Sequence, residues 1–153
     1  MVRRLFAVLA LIALATAARP AGAAQQRLLV VYPFTVSESM NGDTGVQLID
    51  KIAAEITALG GVTVIRGAND AKPADYRSLA RAAGAEVYFS GSVVPVGPGF
   101  SAIENLVSTR SGTVMWSTTM QFRSVADIVG EGARIHDELL RGEATPAPAP
   151  ASS

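Results

Sequence analysis

The chain has 153 residues, 49% of them hydrophobic, with thirteen acidic side chains, thirteen basic side chains and no cysteine. This length accommodates one domain and not two. The lack of cysteine excludes a disulfide framework, a thiolate metal site, a catalytic thiol and a lipid anchor attached through cysteine. Removal of three leader arginines would leave ten basic against thirteen acidic residues. Such a mildly acidic domain does not suit nucleic-acid binding.

Residues 1–24 have the pattern of a secretory signal peptide. Two arginines precede an uncharged apolar run over 5–18, and small residues follow. Ala21 and Ala23 stand in the A-x-A relation that signal peptidase recognises, which predicts cleavage after Ala23 or Ala24. The alternative is an uncleaved membrane anchor, but the apolar run is shorter than the roughly twenty residues that cross a bilayer. We therefore expect a periplasmic protein whose mature chain has no membrane span.

Residues 143–153 are mostly Pro and Ala, with two serines at the end. Alternating prolines lack backbone donors and favour extended polyproline II, which predicts a disordered tail. Between the leader and this tail, residues 25–142 form one predicted domain. A domain of that size buries enough surface to fold without covalent cross-links.

The first element of the domain is a strand predicted over 27–34. Its apolar run is typical of a strand covered on both faces, and Pro33 limits its pairing. A helix follows, because apolar residues recur every three or four positions from residue 46. We expect Asp43 or Thr44 to cap this helix, and Gly60 to end it in the left-handed conformation.

A second strand and helix come next. The β-branched residues at 62–65 predict a short strand. A helix begins at Pro73, which suits a first turn, and ends at Gly84. The strand that follows covers 86–96, and we expect Gly91 to break it.

The last third of the domain has two more strands and a helix. Alternation predicts a strand over 100–109, with its odd-numbered residues on one face. Gly112 lies in the next turn, and the strand over 113–122 places Trp116 on one face with the other even-numbered residues. The final helix is predicted over 124–141, with Ser124 as its cap.

The resulting order is β-α-β-α-β-β-β-α. The strand–helix–strand start requires a parallel pair with a right-handed crossover, whereas the later short turns permit antiparallel hairpins. We therefore predict a single-domain α/β fold with a mixed five-stranded sheet and three helices.

Few side chains in the domain suit chemistry. His136 is the only histidine, and its helical position lies at the edge of the buried stripe. Asp70 and Asp75 fit solvated turn and cap positions better than an acid–base pair. Ser90 has glycine after it, but the G-x-S-x-G nucleophile pattern is absent, and no glycine-rich phosphate loop is present. We predict no catalytic residue, no cofactor and no metal.

Three segments of the sequence resemble the TolB amino-terminal-type domain, the small α/β module of FlgO-like and LpoB-like envelope proteins. These segments cover 31–34, 80–93 and 111–117, and their order and spacing match across about 28–140. Five residues in these segments form the fold signature of the resemblance: Pro33, Gly84, Gly91, Gly112 and Trp116.

This resemblance implies a non-catalytic domain that faces the periplasm and binds other envelope proteins. The chain departs from the family in two ways. It has no β-propeller of the kind found in TolB, and it has no cysteine for the lipid anchor of the lipoprotein members. No binding residue is therefore transferred from the family.

Three functional hypotheses follow. The first is an exported domain that binds an envelope protein through a sheet edge or a helix face, with homo-oligomerisation and outer-membrane association through the partner left open. The alternative is a periplasmic small-molecule sensor or carrier, with its ligand at loops 37–41 and 69–72. A hydrolase that uses Asp70 with Asp75, or His136, ranks last, because no nucleophile or oxyanion site accompanies them.

Overall fold

The computed structural model describes residues 26–142. The predicted signal peptide with its cleavage at Ala23 or Ala24, and the predicted tail at 143–153, lie outside these residues. The strands are β1 (Arg27–Val31), β2 (Thr35–Val36), β3 (Val62–Arg66), β4 (Val87–Val96), β5 (Gly99–Ser108) and β6 (Val114–Phe122). The helices are α1 (Asp43–Leu59), α2 (Tyr76–Ala82) and α3 (Glu131–Arg141).

One mixed sheet runs through the molecule in the order β3-β1-β4-β5-β6, and β2 pairs with β4 beyond the end of β1. Strands β1, β3 and β4 are parallel, whereas β4, β5 and β6 form an antiparallel meander. This confirms the predicted α/β class, the single domain, the mixed sheet and the three helices. The short strand β2 makes the sheet six-stranded, which the sequence did not indicate.

The strand predicted over 27–34 ends at Val31, because the chain leaves the ladder around Pro33. Tyr32 still donates its backbone N–H to the carbonyl of Phe89, at 3.0 Å. Pro33 has no N–H to donate, and Phe34 donates to the carbonyl of Gly45 in α1 instead. The chain rejoins the sheet at Thr35, which lies opposite Ser92 of β4.

The main core lies between one face of the sheet and helices α1 and α3. The two helices approach closely at Gly132, where a Cβ atom would lie 2.4 Å from Glu55 Cβ and 2.8 Å from the carbonyl oxygen of Ile52. The backbone N–H of Gly132 also donates to the Glu55 carboxylate, at 2.8 Å. Residues fully buried in this core include Leu29, Val31, Leu48, Ile49, Ile52, Ile56, Phe89 and Ile135.

A smaller core lies under α2, on the opposite face of the sheet. The rings of Tyr32 and Tyr76 stack with their centroids 3.8 Å apart, and the Tyr32 hydroxyl donates to the Tyr76 carbonyl. Val30, Ala80 and Ala85 complete the buried set. Helix α2 therefore covers the parallel part of this face, around β1 and the start of β4.

The predicted caps and helix starts are partly wrong. Neither Asp43 nor Thr44 caps α1; the side chain of Asn41 accepts the Asp43 N–H instead, at 3.0 Å. Helix α3 begins at Glu131, because Gly130 adopts φ +79° and separates it from a 3-10 turn. Ser124 begins that earlier turn, in which the Asp127 carboxylate accepts its N–H.

The ends of the first two helices are set by glycine, as predicted. Gly60 follows α1 with φ +73°, and Gly84 follows α2 with φ +79°. The predicted helix start at Pro73 is a 3-10 turn, which is wound more tightly than an α-helix. Helix α2 follows it directly at Tyr76. Within residues 26–142, no helix has the length and hydrophobicity that crossing a bilayer requires.

Candidate functional site

The meander β4–β5–β6 has one face towards the helices and one face away from them. Strand pairing places side chains in rows across the three strands, and successive residues of a strand point to opposite faces. On the face away from α1 and α3, the first row is Ser90, Asn105 and Ser117. The next rows are Ser92, Ile103, Thr119 and then Val94, Ser101, Gln121. We call these residues the open face.

The open face is solvent-accessible and carries no charged side chain. Ile103 is 48% exposed and Val94 is 47% exposed, while Thr119 and Gln121 are also exposed. The remaining members are small hydroxyl or amide side chains. Covering such a surface requires no desolvation of an ion, which is the most expensive part of burying a polar surface.

Strand β6 is the edge of the sheet next to the open face. It has nine residues and pairs with β5 on one side, and within the described part of the chain no strand pairs with its other side. Its sequence contains no Lys, Arg, Asp, Glu or Pro. Natural edge strands are commonly protected by such residues against pairing with another chain. Strand β6 lacks this protection.

The covered face of the same meander contains a buried acidic cluster. Glu104 is fully buried, and neither of its carboxylate oxygens has a hydrogen-bond partner within residues 26–142. The nearest cation is Arg134, whose Nη2 lies 3.6 Å from Glu104 Oε2. Arg134 bonds more closely to Glu131, at 2.5 Å and 2.9 Å, and its guanidinium carbon lies 5.7 Å from the Trp116 ring centre.

The pKa of Glu104 is raised from 4.5 to about 9, and burial is the largest cause. The Glu131 carboxyl contributes to this increase, whereas the Arg134 guanidinium opposes it. Glu104 is consequently protonated and neutral at pH 7, which is how a carboxyl group avoids the penalty of burying a charge. A protonated acid sealed under α3 can donate a hydrogen bond, but it has no access to a substrate.

Sequence reasoning missed Glu104 because it assigned no role to the even-numbered residues of β5. The signal was present: Glu104 lies between Ala102 and Leu106 on the same face by alternation, and both neighbours are apolar. A lone acid in an apolar row is a candidate for a shifted pKa. The partners Glu131 and Arg134 come from α3 and could not be assigned from spacing.

The signature positions of the resemblance lie in different parts of the fold. Pro33 is buried between β1 and β2, and Gly84 and Gly112 occupy left-handed turns with φ +79° and +76°. The prediction that Gly91 breaks the strand is wrong, because β4 continues through this residue. Trp116 is partly buried against the main core, as its strand pattern predicted.

Gly91 is required by packing and not by backbone conformation. A Cβ atom there would lie 2.3 Å from the Phe34 ring and 2.5 Å from the carbonyl oxygen of Ile103. The absence of a side chain at Gly91 therefore allows the Phe34 ring to pack directly against β4. The strand pairs continuously across this point, with Gly91 opposite Glu104.

The residues considered for chemistry do not come together. His136 is partly buried and donates Nε2–H to the carbonyl of Gly60, at 2.9 Å, which ties α3 to the end of α1. Asp70 and Asp75 are both exposed. Among residues 26–142, no group of three or more His, Asp or Glu side chains is placed to hold a metal ion.

No protein-family model matches the sequence, and no curated protein matches it. Solved structures do share its fold. TolB from Acinetobacter baumannii matches with a TM-score of 0.54 and 15% identity over 78% of this chain and 28% of that chain. The LpoB C-terminal domain from Escherichia coli matches with a TM-score of 0.52 and 16% identity over 63% and 82% of the two chains.

The dodecameric PelC from Paraburkholderia phytofirmans matches with a TM-score of 0.50 and 21% identity, over 77% of this chain and 85% of that chain. At these identities the likeness shows a common fold. The resemblance to TolB-type and LpoB-type domains is thus confirmed for the fold of the described domain.

Proposed function

We propose that this chain is an exported, non-catalytic protein of the cell envelope whose α/β domain binds a protein partner at β6 and the open face. One observation carries the proposal: β6 is a nine-residue edge strand without a charged residue or proline, and it borders an uncharged open face. The signal-peptide pattern and the fold shared with TolB and LpoB support the envelope location.

The unpaired edge of β6 favours strand addition. The backbone groups of β6 that point away from β5 need donors and acceptors, and an extended segment of another chain supplies both. Every second side chain of that segment would lie next to the open face. Because neither surface is charged, we expect an uncharged, β-branched or hydroxyl-rich segment as the occupant.

A helix face is the weaker of the two docking mechanisms that the sequence left open. The large exposed apolar side chains of the helices are Leu59, Leu79 and Leu140, and each lies on a different helix. Single exposed apolar residues are ordinary on soluble domains and do not indicate an interface. The edge of β6 instead has a row of outward-pointing backbone groups that no strand within residues 26–142 pairs.

A second copy of this chain is one source of the added strand. PelC has a similar fold and forms a dodecamer, which supports an assembly of this fold with itself. An extended segment of a different envelope protein is the other source. Both occupants require the same free edge, so one experiment can test the docking site and identify the occupant.

The test is site-specific photo-crosslinking in cells that export the full chain. A crosslinker replaces Thr119 of β6 in one variant and Ala58 on the exposed face of α1 in a matched control. We expect an adduct at Thr119 and none at Ala58, with its mass showing whether a second copy or another protein is bound. Equal adducts at both positions, or none at Thr119, would contradict the proposal.

A further inference from the structure

A cavity of about 570 Å³ opens at the end of the sheet opposite the carboxyl ends of the parallel strands. Arg27 begins β1 there, Val87 begins β4, and the turn after β5 contributes Arg110. Arg81 of α2 forms another part of the wall. This volume lies in the range of small-molecule sites, about 300–1,000 Å³.

The wall of the cavity is strongly basic. Among residues 26–142, the lining includes three arginines, Arg27, Arg81 and Arg110, and one acid, Glu86. Within residues 26–142, the side chains of Arg81 and Arg110 make no ion pair or hydrogen bond. Both side chains are exposed, so their guanidinium groups are accessible to an anion that enters the cavity.

The two segments that contain Arg81 and Arg110 are joined by hydrogen bonds. Arg77, one helical turn before Arg81, donates Nε to the carbonyl of Thr109 and Nη2 to the carbonyl of Arg110, at 3.0 Å and 2.5 Å. The Thr109 hydroxyl donates to the carbonyl of Ala85, at 2.7 Å. Helix α2 and the β5–β6 turn are therefore fixed to each other, which lowers the entropic cost of binding between them.

We propose that this cavity binds an oxyanion, a phosphate or carboxylate group carried on a small organic molecule. The planar guanidinium fork matches the paired oxygens of both groups. Val87 and Met115 supply an apolar part of the wall for the rest of the ligand. The cavity shares no residue with the open face, but Met115 of its wall belongs to β6. Substitutions at Arg81 and Arg110 therefore test the cavity without changing the docking strand.

The proposal is tested by calorimetric titration of the purified chain with inorganic pyrophosphate, with citrate and with uncharged glucose. We expect pyrophosphate or citrate to bind, glucose not to bind, and the affinity to fall as NaCl rises. The Arg81→Gln/Arg110→Gln double variant should lose at least about tenfold in affinity. The matched control is Arg123→Gln, an exposed arginine at the other end of β6, which should bind as the parent chain does.

A further variant, Glu86→Gln, separates binding from folding, because removing the negative charge of Glu86 should strengthen binding about twofold to threefold. No heat of binding for either anion at millimolar concentration would overturn the proposal. An equal loss of affinity in Arg123→Gln would also overturn it, because the attraction would then be non-specific.

Discussion

The two faces of the meander β4–β5–β6 belong to the same three strands but differ in burial and in charge. On the covered face, the central row consists of Gly91, Glu104 and Thr118, and Glu104 in its middle is fully buried. On the open face, the next residues along the same strands are Ser92, Ile103 and Thr119. The covered face thus contains the one fully buried acid of the described domain, whereas the open face has no charge at all.

The two faces differ in their contact with water. The covered face excludes water, and Glu104 is accommodated there by retaining its proton. The open face contacts water with uncharged side chains, although charged residues would be the ordinary choice for solubility and for protection of an edge. A face that neither packs internally nor carries charge is suited to contact another chain.

The largest contrast concerns apolar residues on the two faces. Leu106 is 2% exposed in the main core, so Leu106→Ala should lower the free energy of unfolding by about 2–5 kcal/mol. Its matched control is Ile103→Ala on the open face of the same strand, which should lose less than about 1 kcal/mol in urea unfolding. Similar losses in the two variants would mean that the open face is also packed.

The next contrast concerns pH and Glu104. Its pKa in the folded chain is about 9, above its ordinary value of 4.5, so the folded state holds the proton more tightly. The associated stability is complete below pH 4.5 and is lost as pH rises through 9, by at most about 1.4 kcal/mol per pH unit. Glu104→Gln keeps the group neutral and should remove this loss, measured as unfolding free energy from pH 5 to 9.

The control for this pH dependence is Glu38→Gln, which changes an exposed acid in the loop after β2. It should keep the slope of the parent chain. If the parent and Glu104→Gln showed the same slope over pH 5 to 9, Glu104 would be ionised in the fold, and Arg134 would be a stronger partner than its 3.6 Å contact indicates.

Residue alternation predicted much of this contrast, but not which face the helices cover. In β6 the predicted even-numbered face is confirmed from Trp116 to Phe122, while Val114 is half exposed beyond the irregular pairing at Leu106 and Val107. In β5 the residues on the covered face include the charged type Glu104. Hydrophobicity alone therefore does not indicate which face of β5 is buried. The choice of face depends on the packing of α1 and α3 against the sheet, which alternation within a strand does not determine.

Other elements also depended on contacts that are remote in sequence. Strand β2 exists because Thr35 and Val36 pair with β4. A two-residue strand is too short for its hydrophobic periodicity to be recognised in the sequence. The start of α3 was misplaced because Ser124 has the capping pattern of a helix, yet Gly130 interrupts the helical conformation. The sequence could predict that a partner binds through a sheet edge. It could not identify β6 as that edge, because the strand order of the sheet was unknown.

The smallest effect on stability, and a large effect on binding, is expected from Thr119→Lys. This exposed position on the open face should tolerate lysine within about 0.5 kcal/mol. The added charge should weaken strand addition about tenfold, measured as loss of the adduct from a crosslinker at Ser117. Ala58→Lys on α1 is the matched control, and an undiminished adduct in Thr119→Lys would place the partner elsewhere.

The most direct test of the docking account is residue-resolved amide hydrogen exchange along β6, in the free chain and in the complex recovered by crosslinking. The account predicts alternating slow and fast amides in the free strand, because every second N–H points away from β5. In the complex, the fast amides of β6 should become protected while those of α2 stay unchanged. Unchanged exchange in β6, with new protection on a helix, would contradict it.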